Sequence, residues 1–131
     1  MIADPTATDI AHAVDTTWTD VDVTALVGSD AGSVAGICIE IENTSATLFA
    51  VGARCNGSSD TYTGDLATTG GQTSSIQLCV GVDDNDVFEL YLEDASEANC
   101  YLIGYWTDAE AEFLVDAQLI PDPASAETWT S

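Results

Sequence analysis

The fold is decided by residues 36–60, which read GICIEIENTSATLFAVGARCNGSSD. At the start of this stretch three isoleucines alternate with one cysteine and two glutamates, and a period of two predicts a strand with the isoleucines in the core. Residues 43–46 form a short polar connection, and residues 48–54 return as a second strand before the turn signal Asn56–Gly57. The stretch is therefore predicted to be the central hairpin of a β-sandwich. The alternating residues are Ile37, Ile39 and Ile41, facing inward, and Cys38, Glu40 and Glu42, facing outward.

The same alternation recurs along the chain, with turn residues between its occurrences. It predicts an all-β fold, an antiparallel β-sandwich that is jelly-roll-like and has about seven to eight strands. Residues 1–14 are expected to be a polar N-terminal arm, residues 15–120 the jelly-roll domain and residues 121–131 an extended C-terminal tail. Residues 58–75 are expected to be a long polar loop. Further strands are predicted at residues 18–23, 75–82, 87–93, 100–106 and 112–119.

The charge balance is extreme, since one arginine and no lysine stand against 23 acidic residues, for a formal net charge of −22. Charged residues make up only 18% of the chain, so the imbalance comes from missing cations. This self-repulsion opposes compaction in dilute buffer, but it is screened in molar salt, where the Debye length falls to about 3 Å. We interpret the composition as adaptation to high salt, and an acidic surface protein of a non-halophile is the alternative.

The same charge excludes two classes of partner. A chain without a basic patch cannot displace counterions from nucleic-acid phosphates, and anionic lipid surfaces repel it. No apolar run approaches the roughly 18 residues that span a bilayer, so no membrane insertion is expected. Residues 1–15 lack the charged and apolar regions of a signal peptide, which predicts a protein assembled in the cytoplasm.

The four cysteines lie too far apart for a CxxC metal motif, and their even number suggests disulfides in an exposed protein. Buried free thiols are the alternative. Four cysteines allow three connectivities, which spacing alone does not separate. The preferred pairing joins Cys38 to Cys79, which share outward parity, and Cys55 to Cys100, which both lie at strand ends.

Arg54 and one acidic turn are the other candidate sites. Arg54 is expected to form a structural ion pair with a carboxylate, because its planar fork suits that partner, and a ligand contact is the alternative. Asp83, Asp84 and Asp86 lie in a predicted turn and are candidate Ca²⁺ ligands. A plain acidic turn explains them as well.

Nothing in the sequence indicates catalysis. His12 is the only histidine, so neither a relay nor a histidine metal site can be built, and no phosphate-binding or dinucleotide motif is present. No enzyme activity is expected, and no cofactor other than the candidate Ca²⁺. Asn43 and Asn56 begin sequons in predicted turns and are candidate glycan acceptors.

Three stretches together resemble the small jelly-roll domains in structural proteins of tailed viruses, including those that infect halophilic archaea. The stretches are WTDVDVTALVG, GICIEIENTSATLFAVGARCNGSSD and GVDDNDVFELYLEDASEANCYLIGYWTD. The resemblance covers residues 18–107 and lies in strand and turn residues, while Cys55 and Cys100 depart from it. It implies a homo-oligomer, a trimer or pentamer, that contacts other virion proteins.

Two functions are consistent with these features. The first is a structural virion protein of a halophilic archaeal virus, on the virion surface as a capsid turret, spike, decoration or tail component. It would contribute to host attachment through a surface glycan or the S-layer. The second is a carbohydrate-binding or adhesin-type module of a halophile surface protein. Its sugar platforms would be Trp18, Tyr91, Tyr105 and Trp106.

Thermal unfolding across a salt series tests the interpretation of the charge. We expect the melting temperature to fall strongly between molar and millimolar NaCl, because the repulsion among carboxylates is then no longer screened. Circular dichroism at matched protein concentration measures it. Equal melting temperatures at both ends of the series would contradict adaptation to high salt.

Overall fold

The computed structural model of the chain describes residues 1–10, 15–68 and 73–118 and, for residues 3–9, the backbone alone. Its regular structure in those ranges is eight β-strands and three short 3-10 helices. None of the helices in this part of the chain is long and apolar enough to cross a membrane. The strands are β1 (Ile2–Asp9), β2 (Thr19–Asp22), β3 (Val34–Asn43), β4 (Phe49–Cys55), β5 (Gly64–Leu66), β6 (Ser74–Gly81), β7 (Val87–Leu92) and β8 (Ala98–Thr107), and the helices are Thr24–Leu26, Gly28–Asp30 and Ala95–Glu97.

The strands form two four-stranded sheets, and their order is that of a jelly roll. The first sheet runs β1-β8-β3-β6 and the second runs β2-β7-β4-β5. The antiparallel pairs β1–β8, β2–β7, β3–β6 and β4–β5 are those of one long hairpin folded back at β4–β5. Rolling up that hairpin sends successive pairs to opposite sheets, and the β3–β8 and β4–β7 ladders close each sheet. The predicted all-β, jelly-roll-like sandwich is confirmed.

The core lies between the inner faces of the two sheets. Ile37, Ile39 and Ile41 of β3 are fully buried, as their alternation predicts. Opposite them, the second sheet contributes inward residues of its own. This arrangement explains why both sheets alternate, since each has one apolar face and one polar face. The inward residues of the second sheet include Val21, Phe49, Val51, Leu66, Phe88, Leu90 and Leu92.

The two strands of residues 36–60 are present as β3 and β4, but they do not form a hairpin. They lie in different sheets, so the connection between them crosses the sandwich. Both strands have an apolar inner face, and the two sheets bury those faces in one shared core. Alternation defines which face is buried, and it does not define the neighbouring strand.

Asn43 holds that crossing. Its side chain is fully buried, and its Nδ2 donates to the carbonyl oxygens of Thr47, at 2.9 Å, and Leu66, at 2.8 Å. Its Oδ1 accepts the Ser45 amide and hydroxyl, each at 2.8 Å. Two donors and two acceptor positions are therefore all satisfied, as burial of an amide requires.

Two terminal predictions are wrong within the described residues. Residues 2–9 of the predicted polar arm form β1, which pairs with β8 at the edge of the first sheet. Pro5 interrupts the alternation, and it lies where the register shifts between Ala3 and Thr8, because proline donates no ladder hydrogen bond. Residues 112–118 of the predicted last strand are not a strand. Residues 11–14, Leu119 and the predicted tail lie outside the described residues.

The predicted loop at residues 58–75 contains one short strand, β5, which pairs with the start of β4. Residues 69–72 of that loop lie outside the described residues. β5 completes the second sheet as an edge strand.

Phe113 explains what residues 108–118 do instead of forming a strand. Its ring lies on the outer face of the first sheet, over Gly36 and Gly81, which face each other across β3 and β6. A Cβ at Gly36 would lie 2.6 Å from the Phe113 Cζ, and one at Gly81 would lie 2.9 Å from the Phe113 Cβ. The two glycines therefore make a shallow seat for an aromatic ring.

Replacing Gly36 with alanine tests this seat. Gly36→Ala is expected to lower the free energy of unfolding by about 2 kcal/mol, because the added methyl overlaps the Phe113 ring. The matched control is Gly64→Ala, since a Cβ at Gly64 meets nothing within 4 Å. Urea unfolding in molar salt measures both, and equal effects of the two substitutions would contradict the packing of Phe113.

Candidate functional site

The only lysine or arginine in the sequence lies on the outer face of the second sheet. Arg54 donates from Nε to Oε2 of Glu89 at 2.7 Å and from Nη2 to Oε1 at 3.3 Å. Both side chains are largely buried, at 16% and 14% exposure. Arg54 faces Glu89 directly in the β4–β7 ladder, so both side chains point outward from the same place on neighbouring strands and can form an ion pair. Its Nη1 donates to the Asp60 carbonyl.

Trp18 and Tyr91 complete this group. The Arg54 Cζ lies 4.2 Å from the centre of the Trp18 ring, a cation–π contact. The Trp18 and Tyr91 ring centres are 5.5 Å apart at an angle of 49°. Trp18 directly precedes β2, whose Thr19 faces Leu90, and this register sets Trp18 beside Tyr91. We call Trp18, Arg54, Tyr62 and Tyr91 the aromatic face.

Tyr62 is the most accessible ring of the aromatic face, at 73% exposure. One face of Trp18 is covered by the guanidinium, so Tyr62 offers the freer stacking surface. Gly52 makes room for this arrangement, since a Cβ there would lie 2.8 Å from the Tyr62 carbonyl oxygen and 3.0 Å from the Trp18 Cη2. Sequence reasoning missed Tyr62 because it lies in a polar loop with no periodic pattern.

The structure does not bring the other two predicted sugar platforms to this face. The Tyr105 hydroxyl donates to Asp30 Oδ2 at 2.6 Å, and this bond to a carboxylate, together with burial, raises the pKa of Tyr105 to about 12. Trp106 packs against Phe113 on the first sheet, with ring centres 5.3 Å apart. Trp18 and Tyr91 are therefore the only two of the four predicted platforms that lie together.

A cavity of about 190 Å³ lies beside the aromatic face, at the seam between β4 of the second sheet and β6 of the first. Its rim is apolar and exposed: Tyr62 at 73%, Leu114 at 58% and Val115 at 52%. We call these three residues the apolar rim. Because the rest of the sequence is strongly acidic, such a cluster is a candidate contact surface.

Residues 58–60 fasten the segment that carries Leu114 and Val115. The Asp116 Oδ1 accepts the Ser58 hydroxyl at 2.8 Å and the Ser59 amide at 2.9 Å. These bonds, the Ser58 bond first, hold the pKa of Asp116 below its usual range. The Ala117 amide donates to Asp60 Oδ2 at 2.6 Å. The apolar rim is thus held in place by carboxylates bonded to neutral donors.

The acidic turn uses its carboxylates inside the fold. Asp86 is 2% exposed and has a φ of 61°, in the left-handed region that aspartate tolerates. Its two oxygens accept the Gly32 amide at 3.1 and 2.9 Å, and Oδ2 also accepts the Thr24 hydroxyl at 3.2 Å. Asp86 therefore ties the β6–β7 turn to the segment before β3.

Asp83 has its own donors. Its Oδ1 accepts the amides of Asn85 and Val87, and its Oδ2 accepts the Asn56 side chain at 2.8 Å. Partial burial alone would raise the pKa of Asp83, but these hydrogen bonds outweigh it and hold the pKa below its usual range. Among the described residues no three histidine, cysteine or acidic side chains are grouped to hold a metal. A Ca²⁺ site at Asp83, Asp84 and Asp86 stays a prediction.

One of the two preferred cysteine pairs is adjacent in the structure. Cys38 faces Cys79 across β3 and β6, and the Cys79 thiol donates to the Cys38 sulfur at 3.3 Å. Both are thiols here.

The other preferred pair, Cys55 with Cys100, is wrong. The Cys55 sulfur is a free thiol and lies 3.7 Å from the Cβ position of Gly81, which faces Gly36. Cys100 faces Ile41, at the other end of β3. Five residues of strand separate those ends by about 17 Å, and a disulfide requires Cα atoms within about 7 Å. That a residue lies at the end of a strand does not tell at which end of the sandwich it lies.

The candidate glycan acceptor Asn43 is also wrong, because its buried amide nitrogen is fully hydrogen-bonded. Asn56 is half-buried and donates to Asp83. His12, the only histidine of the sequence, lies outside the described residues.

Comparison with known proteins does not identify this site. The sequence matches no family model, and no curated protein is similar enough to it to count as a relative.

The Arg54–Glu89 pair can be tested by removing one partner or both. Arg54→Met is expected to lower the free energy of unfolding by about 2 kcal/mol, because it leaves the largely buried Glu89 carboxylate without its cation. Adding Glu89→Leu to that variant is expected to restore most of the loss, since an apolar pair leaves no unpaired charge. Urea unfolding in molar salt measures both variants. A neutral Arg54→Met, or a double variant less stable than the single one, would contradict this account.

Proposed function

We propose that this protein is a structural component, not an enzyme, on the virion surface of a virus of a halophilic archaeon. It acts as a homo-oligomer, a trimer or pentamer, in a capsid turret, spike, decoration or tail, where it contacts other virion proteins and contributes to host attachment. The observation that carries the proposal is the apolar rim on an otherwise acidic jelly roll. Jelly rolls of this kind occur in both viral capsid and lectin domains, so the fold is compatible with either function. The choice between them therefore rests on the surface of the protein.

The charge restricts how copies can meet. The only arginine is bound to a glutamate of its own subunit, and the sequence contains no lysine. Contacts between copies are therefore expected to rest mainly on apolar groups and hydrogen bonds and not on that arginine. The apolar rim supplies such a contact, and molar salt screens the repulsion that two chains of charge −22 would exert on each other.

The rim is also built to keep its shape. Asp116 and Asp60 hold the segment of Leu114 and Val115 against residues 58–60. Phe113 anchors the same segment on the glycine seat of β3 and β6. A surface that is fixed before association loses less conformational entropy on binding, which favours assembly.

The alternative is a carbohydrate-binding or adhesin-type module. The contact between Trp18 and Tyr91, with the exposed Tyr62 beside them, favours it, because sugars stack on aromatic rings beside polar groups. In that function the aromatic face binds the sugar, and host attachment through a glycan would use the same residues. Tyr105 and Trp106 take no part in it.

Light scattering and electron microscopy in molar salt test the assembly. We expect the wild-type protein to form a closed trimer or pentamer. The double variant Leu114→Ser, Val115→Ser is expected to be a monomer that is still folded, with an unchanged melting temperature of the monomer. Leu48→Ser is the matched control, because Leu48 is equally exposed at 55% but precedes β4 at the other end of that strand. Dissociation by Leu48→Ser alone would contradict the assignment to the rim.

Glycan binding separates the two functions. A strict monomer that binds glycans, and loses them on Tyr62→Ala, would overturn the virion proposal in favour of the module. Oligomers without affinity for any glycan on an array made from halophile surface sugars would exclude the module.

A further inference from the structure

Cys38 and Cys79 occupy a special position in the β3–β6 ladder. The Val82 amide donates to the Ala35 carbonyl at 3.1 Å, so the facing pair Ala35–Val82 is a hydrogen-bonded pair. Facing pairs alternate along an antiparallel ladder, and the register from Gly36 to Asn43 has no shift. Counting three pairs along, Cys38 and Cys79 form a non-hydrogen-bonded pair, whose Cα atoms are about 4.5 Å apart in such ladders. That spacing lies within the range a disulfide spans.

We propose that Cys38 and Cys79 are the site of a single cross-strand disulfide, which forms by exchange with a low-molecular-weight disulfide that enters at Cys79. Cys55 stays a thiol. The inference rests on the register and the accessibility of the two sulfurs, and it is independent of what the protein assembles with.

Accessibility sets the order of the two steps. Cys79 is exposed on β6, an edge strand of the first sheet, whereas Cys38 is 7% exposed on the strand next to it. Burial, and then the neighbouring Cys79 thiol, raise the pKa of Cys38 to about 11. Cys38 is therefore a neutral thiol at neutral pH and a poor first nucleophile, because the thiolate is the reactive form.

The chemistry balances with glutathione disulfide as oxidant. The Cys79 thiol loses its proton and its sulfur attacks glutathione disulfide. A bond forms between Cys79 and one glutathione sulfur, and the other glutathione leaves and takes up a proton. Cys38 then loses its proton and attacks the Cys79 sulfur, which releases the second glutathione as a thiol. The protein loses two hydrogen atoms, and one glutathione disulfide is reduced to two thiols.

The bond would fasten an edge strand. Among the described strands β6 pairs only with β3, so it forms an edge of the first sheet. A link from Cys38 to Cys79 closes a loop that contains β4 and β5, so it restrains slightly less than a third of the unfolded chain. We expect oxidation to raise the melting temperature by on the order of 10 °C.

The single arginine makes the test direct. Trypsin cuts this sequence only after Arg54, which lies between Cys38 and Cys79. The folded protein is treated with glutathione disulfide, then unfolded in urea that contains N-ethylmaleimide so that every remaining thiol is blocked, and digested. The expected result is one linked species without reductant and two fragments with it, together with an intact mass lower by two hydrogen atoms before alkylation. Two separate fragments without reductant would overturn the proposal.

Variants fix the partners and the order. Cys79→Ser, at an exposed position, is expected to abolish the link, and Cys55→Ser is the matched control that keeps it. Cys38→Ser is expected to carry one glutathione on Cys79, which mass spectrometry of the second fragment shows. A link that persists in Cys79→Ser, or a glutathione that never appears on Cys79 in Cys38→Ser, would contradict the proposal. Melting curves of the reduced variants confirm that each one folds.

Discussion

The structure depends on the point at which the chain leaves one sheet for the other, and the side chain of Asn43 holds that point. Its amide is fully buried and makes four hydrogen bonds, two of them to carbonyl oxygens on the far side of the crossing. A direct β3–β4 hairpin would place the apolar faces of the two strands side by side in one sheet. With the crossing the two faces oppose each other, and every later strand finds its partner by following the rolled-up hairpin. A buried amide with all its bonds made specifies one corner geometry, because any other leaves a polar group unpaired.

The scarcity of lysine and arginine leaves most surface carboxylates without a cationic partner. Apart from Glu89, which pairs with Arg54, carboxylates near the turns described above accept backbone amides and hydroxyls, as aspartates in turns commonly do. The Asp22 carboxylate accepts the Thr24 amide, and the Asp116 carboxylate accepts the Ser58 hydroxyl and the Ser59 amide. These hydrogen bonds hold the pKa of both aspartates below the usual range. A carboxylate whose pKa is depressed by folding stabilises the fold above its unfolded pKa, near 4, and that contribution is lost as the pH falls through the folded value. Such bonds do not depend on ion pairing, so molar salt screens the repulsion between carboxylates and leaves their turns intact.

The sequence predicts faces better than it predicts neighbours. The isoleucines of β3 alternate strictly, so their burial was predictable, whereas the sheet that each strand joins depends on tertiary packing that the alternation does not encode. β1 was missed because Pro5 interrupts its pattern, and it is a strand because β8 has an open edge that it covers. Residues 112–118 looked like a strand because Phe113, Leu114 and Val115 are apolar, but they cover a glycine seat and form a rim. The outward parity of Cys38 and Cys79 predicted their contact correctly, because β3 and β6 are neighbouring strands. The pairing of Cys55 with Cys100 was wrong, because two residues at strand ends can lie at opposite ends of the sandwich.

The features that carry the proposals lie along one seam of the sandwich. Cys79, Val80 and Gly81 line the same cavity as Tyr62 and Leu114, so the cysteine pair lies beside the apolar rim. A second copy seated on that rim would cover the exposed sulfur through which oxidation enters. Oxidation before assembly would then leave a disulfide shielded from reductants, whereas assembly before oxidation would leave the thiols shielded from oxidants. The order of the two events would therefore set the redox state of the assembled protein, because thiol–disulfide exchange requires access to the sulfur.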